Sequence, residues 1–389
     1  MPIAAQPSTP AHHGGTRRTA LTRRARLSAA RAAAAAGALA LGALLLSACS
    51  PEGGSAASTG QSTSQSTSQS ASAKTAAAAS NPLAGAVFYT DPAGHAQSQL
   101  AQWQASGEQE KAFWLRRLAE QPVATWFTGG EGDVSADVRR LTAGAAAAGQ
   151  VPVLVAYNVP GRDCGSYSRG GAGDAGQYAA WIERFAQGIG TAKAVVVLEP
   201  DAVIHALDGC AAAAGLDQAE RFAMLRAAVE RLKQNPATVV YLDAGNAGWI
   251  ADEGVVAQAL RASGVQEADG FSLNVSNFKS TPDSTTYGRG ISSLLGGARF
   301  VVDTSRNGSG PAAPDGQGTE WCNPTHRSLG NLPTSATGED LIDAYLWIKV
   351  PGDSDGACRP GEPPAGTWWP EYALNLVMQT QMGHPYQGH

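Results

Sequence analysis

Charge is scarce in this 389-residue chain: Asp, Glu, Lys and Arg together make up 16% of it. Aromatic residues are 7%, and the seven histidines include no pair at the i, i+4 spacing of a helical zinc site. No glycine-rich phosphate loop stands between a strand and a helix, since Gly308-Ser309-Gly310 runs into Pro311. Nor is a serine-nucleophile elbow read there. Basic residues are lacking where a nucleic-acid surface would need them. Residues 1–80 hold six Arg, one Lys and a single acid, a net of +6, which leaves −11 for residues 81–389 against −5 for the whole chain. An acidic body excludes the phosphate backbone as partner.

What is present begins with an address. Arg17-Arg18 and Arg23-Arg24 form a basic region, and Ala29–Leu46 is an apolar stretch rich in Ala, Leu and Gly. It ends in Leu46-Ser47-Ala48-Cys49, so residues 1–49 read as an export signal with a lipobox-like end. Cys49 is then expected to be lipidated, with a plain secretory signal as the alternative and only a weak likeness to twin-arginine signals. The purely apolar run after Arg31 is too short for a membrane-spanning helix. Residues 50–80, of Ser, Thr, Gln, Ala and Gly, cannot bury apolar surface and read as a flexible tether. Membrane contact is expected only through Cys49. Four cysteines remain in the body, Cys164, Cys210, Cys322 and Cys358, an even number that suggests two disulfides with three pairings open.

Residues 81–389 read as one catalytic domain. Strand-like runs are expected at Ala86–Tyr89, Thr125–Phe127, Val151–Tyr157, Ala194–Leu198, Val239–Leu242, Gly270–Val275, Arg299–Val302 and Leu346–Val350. Amphipathic segments such as Gln177–Gly188, Asp217–Lys233 and Asp252–Ala262 lie between them. The alternation predicts an α/β fold, a TIM-like barrel of seven or eight parallel strands with its site at the C-terminal strand ends. Six of those ends are polar: Asn158 to Cys164, Glu199-Pro200-Asp201, Asp243-Ala244-Gly245, Asn274 to Asn277, Asp303 to Gly308, and Lys349 to Asp355. One acidic end would be an ordinary turn or cap; six converging are hard to explain by capping. Several aspartates could hold Mg²⁺ or Ca²⁺, but paired carboxylates among nine Trp and nine Tyr suit glycoside hydrolysis better. Glu199, before Pro200, reads as scaffold, and Asp303 with Arg306 as a loop-stabilising pair or a functional one. His205 and His326 read as loop polars, and Tyr157 by itself as core.

The runs Val155-Ala-Tyr-Asn-Val-Pro-Gly-Arg-Asp-Cys164, Leu198-Glu-Pro-Asp-Ala202, Leu242-Asp-Ala-Gly245, Val302-Asp-Thr-Ser-Arg-Asn-Gly308 and Leu346-Trp-Ile-Lys-Val-Pro-Gly-Asp-Ser-Asp-Gly356 resemble glycoside hydrolase family 6, the inverting cellulases. The resemblance implies that Asp201 is the general acid, that Asp163 raises the acid's pKa, and that Asp355 is the candidate base. It implies that Asp243 supports acid or substrate, that Tyr157 lies beneath the distorted sugar, and that Lys349 and Asp353 bind glucosyl hydroxyls. Trp126, Trp249 and Trp321 would be stacking platforms, with Asn277 also in the substrate site. Asp353 stands where the family more usually has Glu. The implied disulfides are Cys164–Cys210 and Cys322–Cys358, each adding about 3–4 kcal/mol in the chain-entropy model. The expected substrate is a β-1,4-glucan and the expected protein a monomer, with no cofactor or metal. Little chain lies between Gly356 and Trp368 to roof a tunnel, which favours endo action. The alternatives are an exo-acting cellobiohydrolase and a surface lipoprotein that binds glucan without cutting it.

Overall fold

The computed structural model describes residues 80–383 except 131 and 214. The expected export signal, Cys49 and the tether up to residue 79 lie outside the described residues. Two helices come first, α1 (His95–Ala105) and α2 (Gln109–Ala119). Strand and helix then alternate: β1 (Thr125–Phe127), α3 (Val134–Ala147), β2 (Val153–Ala156), α4 (Ala175–Ile189), β3 (Ala194–Leu198). Two short helices, α5 (Ala202–Leu207) and α6 (Cys210–Ala213), precede α7 (Gln218–Lys233), β4 (Thr238–Asp243), α8 (Glu253–Ala262), β5 (Gly270–Leu273), α9 (Thr281–Leu294) and β6 (Arg299–Asp303). After a long loop come β7 (Ile342–Leu346) and α10 (Pro370–Gly383).

The seven strands are parallel and lie in sequence order. The sheet curls into a barrel whose edges meet through single hydrogen bonds. Ala124 N–H donates to Trp347 O at 2.9 Å, and Trp126 Nε1–H to Ile348 O at 2.8 Å. At the other end the 81–89 segment fills the gap, with Phe88 bridged to Val151 and Asn81 Nδ2–H donating to Asp343 O at 2.9 Å.

Both faces of the sheet are covered, which is why β3 reads Ala-Val-Val-Val-Leu with every residue buried. Successive side chains point to opposite faces. Val155, Val197, Tyr241 and Val301 pack inside the barrel, while Leu154, Val196, Leu242 and Val302 pack under the helices. Each such side chain contributes about 1.5–3 kcal/mol on burial. The same period sends Asp243, two residues after Tyr241, and Asp303, two after Val301, to the inner face at the strand tips.

Not every aspartate serves the site. Asp133, Asp174, Asp217 and Asp252 cap α3, α4, α7 and α8 by accepting first-turn N–H groups, each contributing about 1 kcal/mol.

Two expected strands differ. Ala86–Tyr89 makes only the bridge at Phe88. The last strand is Ile342–Leu346, not Leu346–Val350. Past Leu346 the backbone N–H groups of Ile348 and Lys349 turn to the Asp303 carboxylate at 3.2 and 3.0 Å and leave the ladder. Asp343 disguised the true strand as polar; it is buried against Tyr241 Oη at 2.7 Å and the Arg299 guanidinium.

Candidate active site

A cleft of about 1380 Å³ opens at the C-terminal strand ends. Every residue expected to act on or hold the sugar lines it, except Asp243, which is buried just beneath Asp201. The backbone there departs from the usual regions. Asp163, Glu199, Asp201 and Asn274 have φ of 53°, 49°, 71° and 66°, left-handed values that cost a non-glycine residue roughly 1–3 kcal/mol and cluster at functional sites.

Asp201 sits half-buried between β3 and α5, and its backbone N–H donates to Asp243 Oδ1 at 2.9 Å. Asp243 also accepts Gly245 N–H at 3.0 Å and Ser272 Oγ–H at 3.1 Å. No hydrogen bond reaches the Asp201 carboxyl among the described residues. Burial, then the neighbouring Asp243 carboxylate, pushes the Asp201 pKa well above the carboxylate range. Burial raises Asp243 as well, against its hydrogen bonds. Asp243, with three donors, is the better anion, so the proton the pair retains belongs on Asp201. Asp163 faces them from the turn after β2, held by Ser168 N–H at 2.5 Å, with its pKa raised by burial.

Asp355 is the opposite case. Its Oδ2 meets Arg306 Nη1 at 2.8 Å and Asn323 N–H at 3.0 Å, and its Oδ1 lies 3.2 Å from Lys349 Nζ. Burial would raise its pKa, but the two cations outweigh burial and hold it below the ordinary range. Arg306 and Asp303 are therefore not a mutual pair. Asp303 binds backbone N–H groups of Ser276, Ser305, Ile348 and Lys349.

Glu199 faces away from the cleft. Its carboxylate accepts Asn158 and Val159 N–H at 2.9 and 3.0 Å and pins the strand that leads to Asp163. Burial drives its pKa to about 7.

Tyr157 lies buried under the cleft, edge-on to Trp126 at 5.2 Å and beneath the Arg162 guanidinium at 4.8 Å. Trp249 donates its Nε1–H to Asp208 at 3.1 Å. Trp321, 37% exposed, stands beside Tyr167 at 6.0 Å. The Asn277 carboxamide oxygen accepts Phe278 N–H at 2.8 Å. Asp353 Oδ1 is taken by His95 Nδ1 at 2.8 Å, a contact from the start of α1 that sequence spacing did not suggest. The disulfides are Cys164–Cys210 and Cys322–Cys358. The first ties down the turn that carries Asp163, and the second the segment after Asp355.

Two further features escaped the sequence reading. Gly352-Asp353-Ser354-Asp355-Gly356 spells Gly-x-Ser-x-Gly, yet Ser354 is fully buried and its hydroxyl donates to Pro363 O at 2.8 Å, so it is no nucleophile. His205, read as a loop polar, lines the cleft beside Asp163. The available signal was its closeness to Asp201, four residues before it at the N-cap of α5.

One proton-holding carboxyl and one charge-locked carboxylate at the tips of parallel strands define a glycoside-hydrolase class of site. The profile described as Glycosyl hydrolases family 6 matches residues 83–380, and the chain belongs to that family. Endoglucanase A of Cellulomonas fimi is 43% identical over 293 residues, covering 75% of this chain and 60% of that protein. Endoglucanase 1 of Streptomyces halstedii is 40% identical over 300 residues, 75% of this chain and 88% of the other. A solved endoglucanase of Mycobacterium tuberculosis, in complex with methyl-cellobiosyl-4-deoxy-4-thio-β-D-cellobioside, superposes with TM-score 0.72 at 42% identity, over 77% of this chain and 99% of that one. More distant is the probable 1,4-β-D-glucan cellobiohydrolase C of Aspergillus niger, 27% identical. Its 368 aligned positions cover only 78% of these 389 residues, so it carries insertions absent here.

Proposed function

We propose that this protein hydrolyses internal β-1,4-glucosidic bonds of cellulose or a related β-glucan with inversion. The observation that carries the reading is the unequal footing of two neighbouring carboxyls: Asp243 accepts three donors, the Asp201 backbone N–H among them, while no hydrogen bond reaches the Asp201 carboxyl among the described residues, which leaves Asp201 as the group holding a transferable proton near neutral pH. Asp201 protonates the leaving glycosidic oxygen, worth about 10²–10⁴-fold in rate. Asp163 keeps that proton in place by its charge. Asp355, locked as an anion, acts on the water, and an inverting site places about 6.5–9.5 Å between acid and base for it. Tyr157 supports the distorted sugar, and Trp126, Trp249 and Trp321 offer stacking faces. Lys349, Asn277 and Asp353 with His95 bind hydroxyls.

Endo action is supported by the short connection after Asp355 and by the endoglucanases at 40–43% identity. Residues 1–49 direct export, Cys49 carries the lipid, and residues 50–80 tether a monomeric catalytic domain at the cell surface. Mass spectrometry of the mature N-terminus tests the lipid.

The decisive test of the reaction is Asp201→Ala. Hydrolysis lost with glucan binding retained supports the reading; unchanged turnover removes Asp201 as the acid. For the mode, the viscosity of carboxymethylcellulose should collapse early. Dominant early cellobiose at nearly constant viscosity would contradict endo cutting.

A further inference from the structure

His205 has a place that the chemistry above does not use. It lies on α5, and its backbone N–H donates to Asp201 O at 2.8 Å. Its side chain is 13% exposed. Nδ1 stands 3.3 Å from Asp208 Oδ2, the same oxygen that accepts the Trp249 indole N–H at 3.1 Å. Nε2 is buried and forms no hydrogen bond among the described residues. Its acidic neighbour is Asp163 Oδ1 at 4.0 Å. The ring packs edge-on to Trp249 at 5.0 Å and against the Cys164–Cys210 bridge, whose sulfurs are bonded to each other and are no ligands for a metal.

These contacts fix the ring's chemistry. An ionised Asp208 can only accept, so Nδ1 carries a hydrogen. In a neutral ring, Nε2 is then a buried lone pair 4.0 Å from the Asp163 carboxylate. A lone pair and a carboxylate oxygen at that distance repel, and a proton on Nε2 turns the repulsion into attraction.

We propose that His205 is a positioning residue whose imidazolium stands beside Asp163 and so keeps Asp163 anionic while Asp201 holds the catalytic proton. The need is plain from the charges. Asp163 and Asp201 converge with Asp243 below them, and burial pushes all three carboxyls toward protonation. Facing the imidazole are Asp201 and Asp208, which flank α5 at its two ends, and Asp163 from the turn, and the packed edge of Trp249 adds no charge. Arg162 is the other cation near Asp163, and its guanidinium is committed to the carbonyls of Thr128, Tyr157 and Ser168. With His205 charged, the cluster carries its one surplus proton on Asp201 and not on Asp163.

The proposal rests on the roles given above to Asp201 and Asp163, and the test separates the two. In His205→Gln the cation is lost, so both carboxyl pKa values rise. Both limbs of the kcat/KM profile on a soluble β-1,4-glucan should then move to higher pH, by about one unit for a charge this close. His205→Arg, which keeps the charge, should hold the limbs nearer their original positions. A purely structural histidine would lower the peak and leave the limbs where they were; that outcome, or a shift to lower pH, overturns the proposal. Should the variants fail to fold, the ¹⁵N shifts of the His205 ring in the unaltered protein decide: both nitrogens protonated at the pH optimum is expected, and a bare Nε2 overturns it. Asp201→Asn that still hydrolyses would sink the functional reading alone, and the ring spectrum would still report on the charge of His205.

Discussion

The two walls of the cleft treat the same residue type in opposite ways. At the tips of β3 and β4, Asp201 and Asp243 meet with no Lys or Arg in contact with either carboxyl among the described residues, and burial raises both pKa values. In the loops beyond β6 and β7, Asp355 is buried too but is gripped by Arg306 and Lys349, and its pKa falls. Desolvation acts on both walls; what differs is whether a Lys or Arg touches the carboxylate to oppose it. An inverting glycosidase needs both outcomes, a carboxylic acid and a carboxylate, in one site.

The comparison can be broken at either wall. The largest effect is expected at the acid, where Asp201→Asn should lower kcat on β-1,4-glucan by about 10²–10⁴-fold with KM little changed. Arg306→Met should cost about 3–5 kcal/mol in urea unfolding, because it leaves a buried carboxylate short of its partner. Lys349 at 3.2 Å keeps the loss toward the lower figure. Asp163→Asn removes a negative neighbour from Asp201, so the acid's pKa should fall. The alkaline limb of the rate profile should then move to lower pH by about one unit, opposite in sign to the shift expected for His205→Gln. Smallest is Trp321→Ala, which deletes one exposed stacking face. At about 0.5–1.5 kcal/mol, it should raise KM severalfold and leave kcat and the pH limbs in place.

Much of this arrangement was legible in the sequence. The runs of Val and Leu ending in aspartate marked the parallel strands and their tips, and the multi-residue motifs located Asp163, Asp201, Asp243 and Asp355. What stayed hidden was hidden for physical reasons. Asp343 broke the apolar pattern of β7 because its partners, Tyr241 and Arg299, come from other strands. The His95–Asp353 contact spans 258 positions, which no local pattern encodes. The fate of Arg306 needed coordinates as well: next to Asp303 in a motif, it pairs instead with Asp355. His205 was the readable omission, four residues after Asp201 on a helix only six residues long.

The central claim is that one wall keeps its proton and the other does not. Carboxyl ¹³C titration of the folded protein, with Asp201→Asn and Asp355→Asn used to assign the two signals, tests it most directly. The account predicts that Asp201 titrates well above the ordinary carboxylate range, while Asp355 remains ionised below that range. Both signals titrating together near pH 4, or Asp355 taking the higher value, would contradict it.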